Sequence, residues 1–277
     1  MRTIFAPQKM KLLFFKFTLA YIVALAVLFL FQDNLIYYPS RITVEYAGNI
    51  AAGNANVEQI TLETDDSITL RGWLVSRPEA EKAPLVIYYG GNGEEVSHLV
   101  SQAERFPGCA LLLMNYRGYG LSEGRPNERN LYRDAELIYD IFTQRKGVDR
   151  ERIVVMGRSI GTGVAVHIAA SRPVSGVILV TPYDSLVRVV QRKVKIIPAA
   201  LLLRNRFDSI AAAPRLDIPM LALIAGRDEV IPSDHAYNLA STWGGKLMLV
   251  TVDNAGHNNI QDSDLFWESI AVFLSGL

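Results

Sequence analysis

Residues Ile153-Val-Val-Met-Gly-Arg-Ser-Ile-Gly-Thr-Gly-Val-Ala-Val-His-Ile-Ala-Ala170 decide how the rest of the chain reads. Ile153 to Met156 is a short, unbroken apolar run, the pattern of a strand buried on both faces. Thr162 to Ala170 is a run of small and apolar residues that suits a helix. Between them stands Gly157-Arg-Ser-Ile-Gly161, a match to G-x-S-x-G. Alone the pentapeptide is weak evidence, because glycine and serine are common enough to produce it by chance. A strand that turns sharply into a helix at the serine is more specific: it is the nucleophile elbow, which lifts a serine hydroxyl above the carboxyl edge of a sheet. Gly157 and Gly161 then leave room where side chains would clash. The competing account is a glycine-rich turn that merely caps a helix.

Outward from this stretch, strand and helix patterns alternate. Candidate strands are Val57–Thr64, Ile68–Val75, Pro84–Tyr89, Ala110–Asn115, Arg152–Gly157, Gly176–Thr181, Pro219–Ala225 and Lys246–Val252. The first two alternate and flank Asp65-Asp66, as in an antiparallel hairpin. The later ones are continuous apolar runs, as in a parallel sheet covered by helices on both faces. Leu131, Ala135, Ile138, Ile141 and Phe142 share one face at helical spacing, and further helices are expected from Ser159, near Ser233 and over Asp262–Gly276. The alternation predicts one α/β domain with a mostly parallel sheet. Leu186 to Arg206 is different: apolar residues mix with Arg188, Arg192, Lys193, Lys195, Arg204 and Arg206, and Pro198 breaks the stretch into two short helices. It reads as an ordinary amphipathic crossover. The sharper alternative is a small cap whose basic face meets an anionic bilayer.

A serine hydroxyl needs a base within hydrogen-bond reach. His98 and His167 sit within helical patterns, and His235 lies in the helix after Pro232. His257 lies in the polar loop Asp253-Asn-Ala-Gly-His-Asn-Asn259 after the last strand, where an open α/β sheet binds ligands. His257 is the expected base, with His235 as its competitor. An acid must hold its tautomer and stabilise its cation. Asp228 follows Ala225-Gly-Arg227 just past a strand and gives the order Ser159, Asp228, His257; Asp184, after the preceding strand, is the alternative acid. The developing oxyanion needs donors. One is the backbone N–H of Ile160, and the other is assigned to the N–H of Asn92 in Tyr88-Tyr-Gly-Gly-Asn-Gly93. Gly90 to Gly93 lacks the Lys-Ser/Thr of a phosphate-binding loop, and Gly161-Thr-Gly163 lacks the third glycine of a dinucleotide fingerprint. No two histidines share metal-ligand spacing, so neither metal nor organic cofactor is expected.

The amino terminus carries a different signal. Leu12 to Phe31 is apolar apart from Lys16 and Thr18, long enough to span about 30 Å of hydrocarbon. Arg2, Lys9, Lys11 and Lys16 cluster at its start, and no acid precedes Asp33. That asymmetry predicts a cytoplasmic tail and transmembrane signal anchor over residues 1–31, single-pass, with the domain over 32–277 on the extracytoplasmic side. A cleaved signal peptide is the rival, through the small-x-small triplet Ala24-Leu-Ala26. Across all 277 residues, 28 basic side chains balance 28 acidic ones, which gives no electrostatic case for nucleic acid. The one cysteine, Cys109, cannot form an internal disulfide and sits beside the apolar run Ala110 to Met114, as a core residue would.

Taken in order, Pro84-Leu-Val-Ile-Tyr-Tyr-Gly-Gly-Asn-Gly93, Asn115-Tyr-Arg-Gly-Tyr-Gly-Leu-Ser-Glu-Gly-Arg-Pro126, Gly157-Arg-Ser-Ile-Gly161, Gly226-Arg-Asp228 and Ala255-Gly-His257 resemble the α/β-hydrolases. The chain looks most like the small, membrane-anchored α/β-hydrolase-domain proteins of the prolyl-oligopeptidase-like type, without a propeller. Asn34-Leu-Ile-Tyr-Tyr-Pro39 also resembles the entry segment of that group. The resemblance implies an α/β-hydrolase fold: an eight-stranded mostly parallel sheet flanked by helices, a small lid or none, and a preceding transmembrane helix. It implies Ser159 as nucleophile, Asp228 as acid and His257 as base, acting on an ester, thioester or amide. Many relatives carry His-Gly where this chain has Gly90-Gly91, which leaves Gly91 and Asn92 both open as the second oxyanion donor. The Asn-Tyr-Arg-Gly-Tyr-Gly segment is assigned to loop structure. The alternative to an enzyme is a catalytically silent fold serving as a membrane-side binding protein.

Overall fold

The structure, a computed structural model, describes residues 7–277. Arg2, one of the basic residues expected ahead of the membrane segment, lies outside them. The chain opens with a single apolar helix, α1 (Pro7–Ile36), followed by a short helix α2 (Val44–Ala52). The hairpin strands β1 (Val57–Glu63) and β2 (Thr69–Val75) come next, then β3 (Ala83–Tyr89), a 3-10 helix over Val96–Arg105 and β4 (Ala110–Met114). From there strands and helices alternate: α3 (Glu128–Phe142), β5 (Val148–Arg158), α4 (Ile160–Ser171) and β6 (Gly176–Val180). The insertion after β6 holds α5 (Leu186–Lys193), α6 (Ala199–Leu202) and α7 (Ser209–Ala212). The chain closes with β7 (Met220–Ala225), α8 (Asp234–Thr242), β8 (Leu247–Val252) and α9 (Asp264–Ser275).

The eight strands form one sheet in the order β1-β2-β4-β3-β5-β6-β7-β8. β1 and β2 run antiparallel to their neighbours, and every pairing from β4 to β8 is parallel. The central strands β4, β6 and β7 are buried at every residue, whereas the edge strands β1 and β8 are largely open. That is why the sequence shows unbroken apolar runs in the middle of the sheet and alternation at its start. Side-chain direction alternates along each strand. Leu85, Ile87, Leu112 and Val155 join α3, α4 and α8 in one core layer. Val86, Leu111, Leu113 and Val154 face the 3-10 helix and α9 in the other.

Three features depart from the sequence reading. β5 begins at Val148 rather than Arg152, because Val148 pairs with Ala83 across a register shift at the start of β3. α2, which no apolar periodicity announces, is held by its fully buried Ala47 and by the Thr43 side chain accepting from the Tyr46 amide. α1 continues past Phe31 to Ile36, so its last turn belongs to the packed domain.

The Asn115–Gly120 segment is loop structure, as expected, and its arginine is a structural hub. The buried Arg117 guanidinium donates to both Asp134 oxygens on α3 at 2.5 and 2.6 Å, and to both Asp66 oxygens in the β1–β2 turn at 2.7 and 2.8 Å. Burial pushes the Asp134 carboxyl up, while hydrogen bonds from Arg117 hold the exposed Asp66 well below the usual carboxylate range. Removing one partner of such a pair leaves an uncompensated buried charge, at a cost of about 3–5 kcal/mol. Arg117→Ala should therefore lose about that much in urea unfolding, and Arg117→Met with Asp134→Leu should recover part of it.

Candidate active site

β5 passes into α4 through Ser159, whose backbone sits at φ 50° and ψ −118°. A non-glycine residue in such a conformation stores roughly 1–3 kcal/mol and persists only where the surroundings over-determine it. Here the Ser159 amide donates to the Val180 carbonyl (2.9 Å), and its carbonyl accepts from the Thr162 amide and hydroxyl (2.9 and 2.7 Å). The turn is also packed without slack. A Cβ on Gly161 would lie 2.1 Å from the Tyr89 carbonyl oxygen, and one on Gly157 would lie 2.3 Å from that of Gly161.

Above the turn, His257 Nε2 lies 2.9 Å from Ser159 Oγ, and His257 Nδ1 lies 2.7 Å from Asp228 Oδ2. The second Asp228 oxygen accepts from the amides of Val230 and Ile231 at 2.8 and 2.6 Å, which fixes the carboxylate and supports its charge. The His257 and Asp228 side chains are 6% and 2% exposed, while Ser159 is only half-buried. The pair is shielded from water and the hydroxyl can be reached. Two backbone bonds tie the aspartate loop to the strand and loop that carry His257: Gly226 N–H to Val252 (3.0 Å) and Arg227 N–H to Ala255 (2.9 Å). A carboxylate on Nδ1 keeps the proton there and leaves Nε2 free to accept from the serine.

The loop after β3 runs beside the serine: a Cβ on Gly91 would lie 3.6 Å from that of Ser159. The Gly91 amide is already committed, donating to Glu94 Oε2 at 2.6 Å. Neither the Asn92 nor the Ile160 amide has a protein acceptor among the described residues. Of the two donors the sequence left open, Asn92 is the one with a free N–H. Its side chain is held on three sides, donating to the Ile36 carbonyl (2.6 Å) and accepting from the Tyr38 amide and the Tyr119 hydroxyl (2.9 Å each).

Sequence reasoning missed the support of this loop. Glu94 is buried and also accepts from the Tyr88 hydroxyl (2.7 Å) and Arg158 Nη1 (3.1 Å). Arg158 reaches the other way to the His257 carbonyl (3.4 Å) and Asn258 Oδ1 (3.2 Å), and Tyr116 donates to the Gly90 carbonyl (3.0 Å). Burial works against the Arg158 charge, but Glu94 outweighs it and holds the guanidinium above its ordinary value. Only the adjacency of Arg158 to Ser159, and of Glu94 to the glycine loop, hinted at these roles. Among the described residues no cluster of three or more His, Cys, Asp or Glu is arranged to hold a metal.

A family model described as serine hydrolase matches residues 141–276, a span that includes Ser159, Asp228 and His257. The uncharacterized protein Rv2307c of Mycobacterium tuberculosis is 30% identical over 248 residues, 88% of this chain and 87% of that protein. The alpha/beta hydrolase domain-containing protein WAV2 of Arabidopsis thaliana is 24% identical, covering 95% of this chain and 93% of WAV2. Among solved structures, an alpha-beta hydrolase from Vibrio vulnificus matches with a TM-score of 0.69 at 21% identity, over 89% of this chain and 92% of its own. At that identity the likeness speaks for the fold.

The remaining candidates lie elsewhere. His235, the competing base, and Asp184, the alternative acid, pair with each other: Nδ1 to Oδ1 is 2.7 Å, both side chains are buried, and Arg188 reaches the second Asp184 oxygen at 3.1 Å. His98 is exposed, and His167 is stacked on Tyr132 and bonded to Glu136 at 2.6 Å. Burial holds the Cys109 thiol up, consistent with an inert core residue. For Asp184, burial raises the carboxyl, but hydrogen bonds from His235, the Ser185 amide and Arg188 outweigh it and hold it below the usual range. A carboxyl depressed by folding stabilises the native state above its unfolded value, about 3.9, and that contribution fades as pH falls through the lower native value. Asp184→Asn should therefore melt lower at neutral pH and show a shallower acid limb in a plot of Tm against pH.

Proposed function

The chain belongs to the serine hydrolase family, on the α/β-hydrolase fold, and we propose that it cleaves an ester, thioester or amide through an acyl-enzyme on Ser159. The observation that carries the reading is the unbroken relay from Asp228 to His257 to Ser159, with contacts of 2.7 and 2.9 Å. As Ser159 Oγ bonds to the substrate carbonyl carbon, His257 Nε2 takes its proton. Asp228 holds the imidazole in place and stabilises the imidazolium. The carbonyl oxygen becomes an oxyanion that accepts from the free amides of Ile160 and Asn92, each such donor being worth about 100- to 1000-fold in rate. The imidazolium then protonates the leaving oxygen, sulfur or nitrogen, and the tetrahedral adduct collapses to acyl-Ser159. Water, deprotonated by the same imidazole, attacks the acyl carbon, and the carboxylic acid leaves as Ser159 recovers its proton.

Residues 1–31 act in this reading as a cytoplasmic tail and signal anchor, and residues 32–277 as the catalytic domain on the extracytoplasmic side. Support comes from α1, whose apolar stretch has no buried residue and a mean hydropathy of 2.4. A soluble helix with that composition would be covered. The partners implied are an acyl substrate and the bilayer that meets residues 12–31.

A serine-directed fluorophosphonate should label the folded protein, and Ser159→Ala should abolish both the label and hydrolysis of a test ester. Asp228→Asn should keep the fold but lower kcat by about 10⁴-fold, since the imidazole then prefers the wrong tautomer. Undiminished labelling of Ser159→Ala would overturn the assignment. An unlabelled, well-folded native chain would favour a silent binding protein.

A further inference from the structure

The basic, apolar insertion between β6 and β7 packs on its own domain through one face only. Its base is closed by the Leu186 amide donating to the Arg206 carbonyl (2.9 Å), and its inner face is fixed by buried Val189 and Ala199. The tip points away from this core: Ile196 is 77% exposed and Leu201 is 84% exposed, with Val194 beside them also open.

The tip does have a neighbour, which is α1. At its base the insertion meets the last turns of the helix: Gln32 donates to the Leu202 carbonyl (3.1 Å) and accepts from the Arg204 amide (2.7 Å), and Asp33 accepts from Asn205 (2.6 Å). At its tip the Tyr21 hydroxyl donates to the Ile196 carbonyl (2.5 Å). From Gln32 back to Tyr21 the helix rises about 16 Å. The insertion therefore runs alongside the apolar stretch of α1, not past its end. If that stretch crosses a bilayer, whatever packs on it at Tyr21 lies within the hydrocarbon layer, which is about 30 Å thick.

Two further features fit that setting. Polar backbone groups in hydrocarbon must be satisfied internally. The Ile196 and Leu202 carbonyls are satisfied from α1, and the Leu203 amide donates to the Ala199 carbonyl (2.9 Å). The charges also suit the headgroups of an anionic leaflet: Leu186 to Arg206 carries six basic residues and no acid, and while Arg188, Arg192 and Arg204 are paired with Asp184, Asp234 and Asp33, the lysines are not among these pairs. Lys193 and Lys195 stand just before Ile196, both exposed, on stems long enough to return their ammonium groups to the phosphates.

We infer that residues 194–203 form a wedge that enters the bilayer beside α1, with Ile196 and Leu201 among the acyl chains and the ammonium groups of Lys193 and Lys195 at anionic headgroups. The inference rests on the reading of α1 as a membrane segment. The insertion that carries the wedge starts just after Tyr183, whose hydroxyl donates to the Ile160 carbonyl (3.3 Å). It thus brings the lipid phase to the edge of the sheet that carries Ser159.

The test uses the full chain with the buried Cys109 changed to alanine, reconstituted into vesicles of mixed phosphatidylcholine and phosphatidylglycerol. An environment-sensitive fluorophore is attached singly at Leu201→Cys, at Phe17→Cys on α1, and at Glu151→Cys near the start of β5, at the other end of the strand from the elbow; circular dichroism confirms that each variant is folded. The wedge predicts that the Leu201 label behaves like the Phe17 label, quenched by nitroxide lipids and protected from aqueous iodide, while the Glu151 label does the reverse. A Leu201 label quenched by iodide like Glu151, with Phe17 still in lipid, would overturn the wedge and leave the anchor standing. Iodide quenching at both Leu201 and Phe17 would overturn the anchor, and the wedge with it.

Discussion

The strained backbone at Ser159 is the constraint on which the rest of the site depends. No L-residue adopts φ 50° and ψ −118° without cost, and here that cost is carried by packing. Gly161 presses on the ends of β3, Gly157 presses on Gly161, and the Ser159 amide continues the β5–β6 ladder through Val180. Together these contacts leave the hydroxyl one place to go, above the sheet edge where His257 waits. A relaxed turn would let the serine swing and would make the 2.9 Å contact to the imidazole one arrangement among several.

The same edge is braced from behind. Arg158 and Glu94 join the turn that carries the serine to the loop that carries Gly91 and Asn92, and Arg158 also reaches the histidine loop. Glu94 occupies the Gly91 amide and so leaves the next amide free, which gives the glycine-rich loop a defined donor in place of a row of equivalent ones. The Asn92 side chain ties that loop to the end of α1 and to Tyr119. The loop set by this side chain is thus bonded directly to the exit of the apolar helix. In the proposed reading, the oxyanion donor and the anchor are neighbours.

What could be read from the sequence was local. Unbroken apolar runs marked β4, β6 and β7 because strands covered on both faces have no polar side. The elbow was legible from a strand, a G-x-S-x-G and a helix in succession, and loop positions after β7 and β8 singled out Asp228 and His257. The extra residues at the start of β5 were not legible, since Val148-Asp-Arg-Glu151 has no apolar pattern and its strand state comes from pairing with β3. Nor was α2, a nine-residue helix containing Gly48 and Asn49 that survives on its buried Ala47 and a threonine cap. Contacts between distant parts of the chain, such as Arg117 with Asp66 or Asn92 with Ile36, leave no mark on either partner's neighbours in sequence. The pairing of His235 with Asp184 shows the same limit: each looked like a catalytic alternative until the fold joined them to each other.

In the proposed reading strain, relay and braced loop act together: the turn aims a hydroxyl, the histidine takes its proton while the buried aspartate holds the imidazole and stabilises its cation, and two unoccupied amides face the charge that forms. The most direct measurement is a crystal structure of the protein after reaction with a small alkyl phosphonate, a tetrahedral mimic of the adduct. This account predicts phosphorus bonded to Ser159 Oγ, with the phosphoryl oxygen within hydrogen-bond distance of both the Ile160 and Asn92 amides. Phosphorus on another side chain, or a phosphoryl oxygen turned away from both amides, would contradict it.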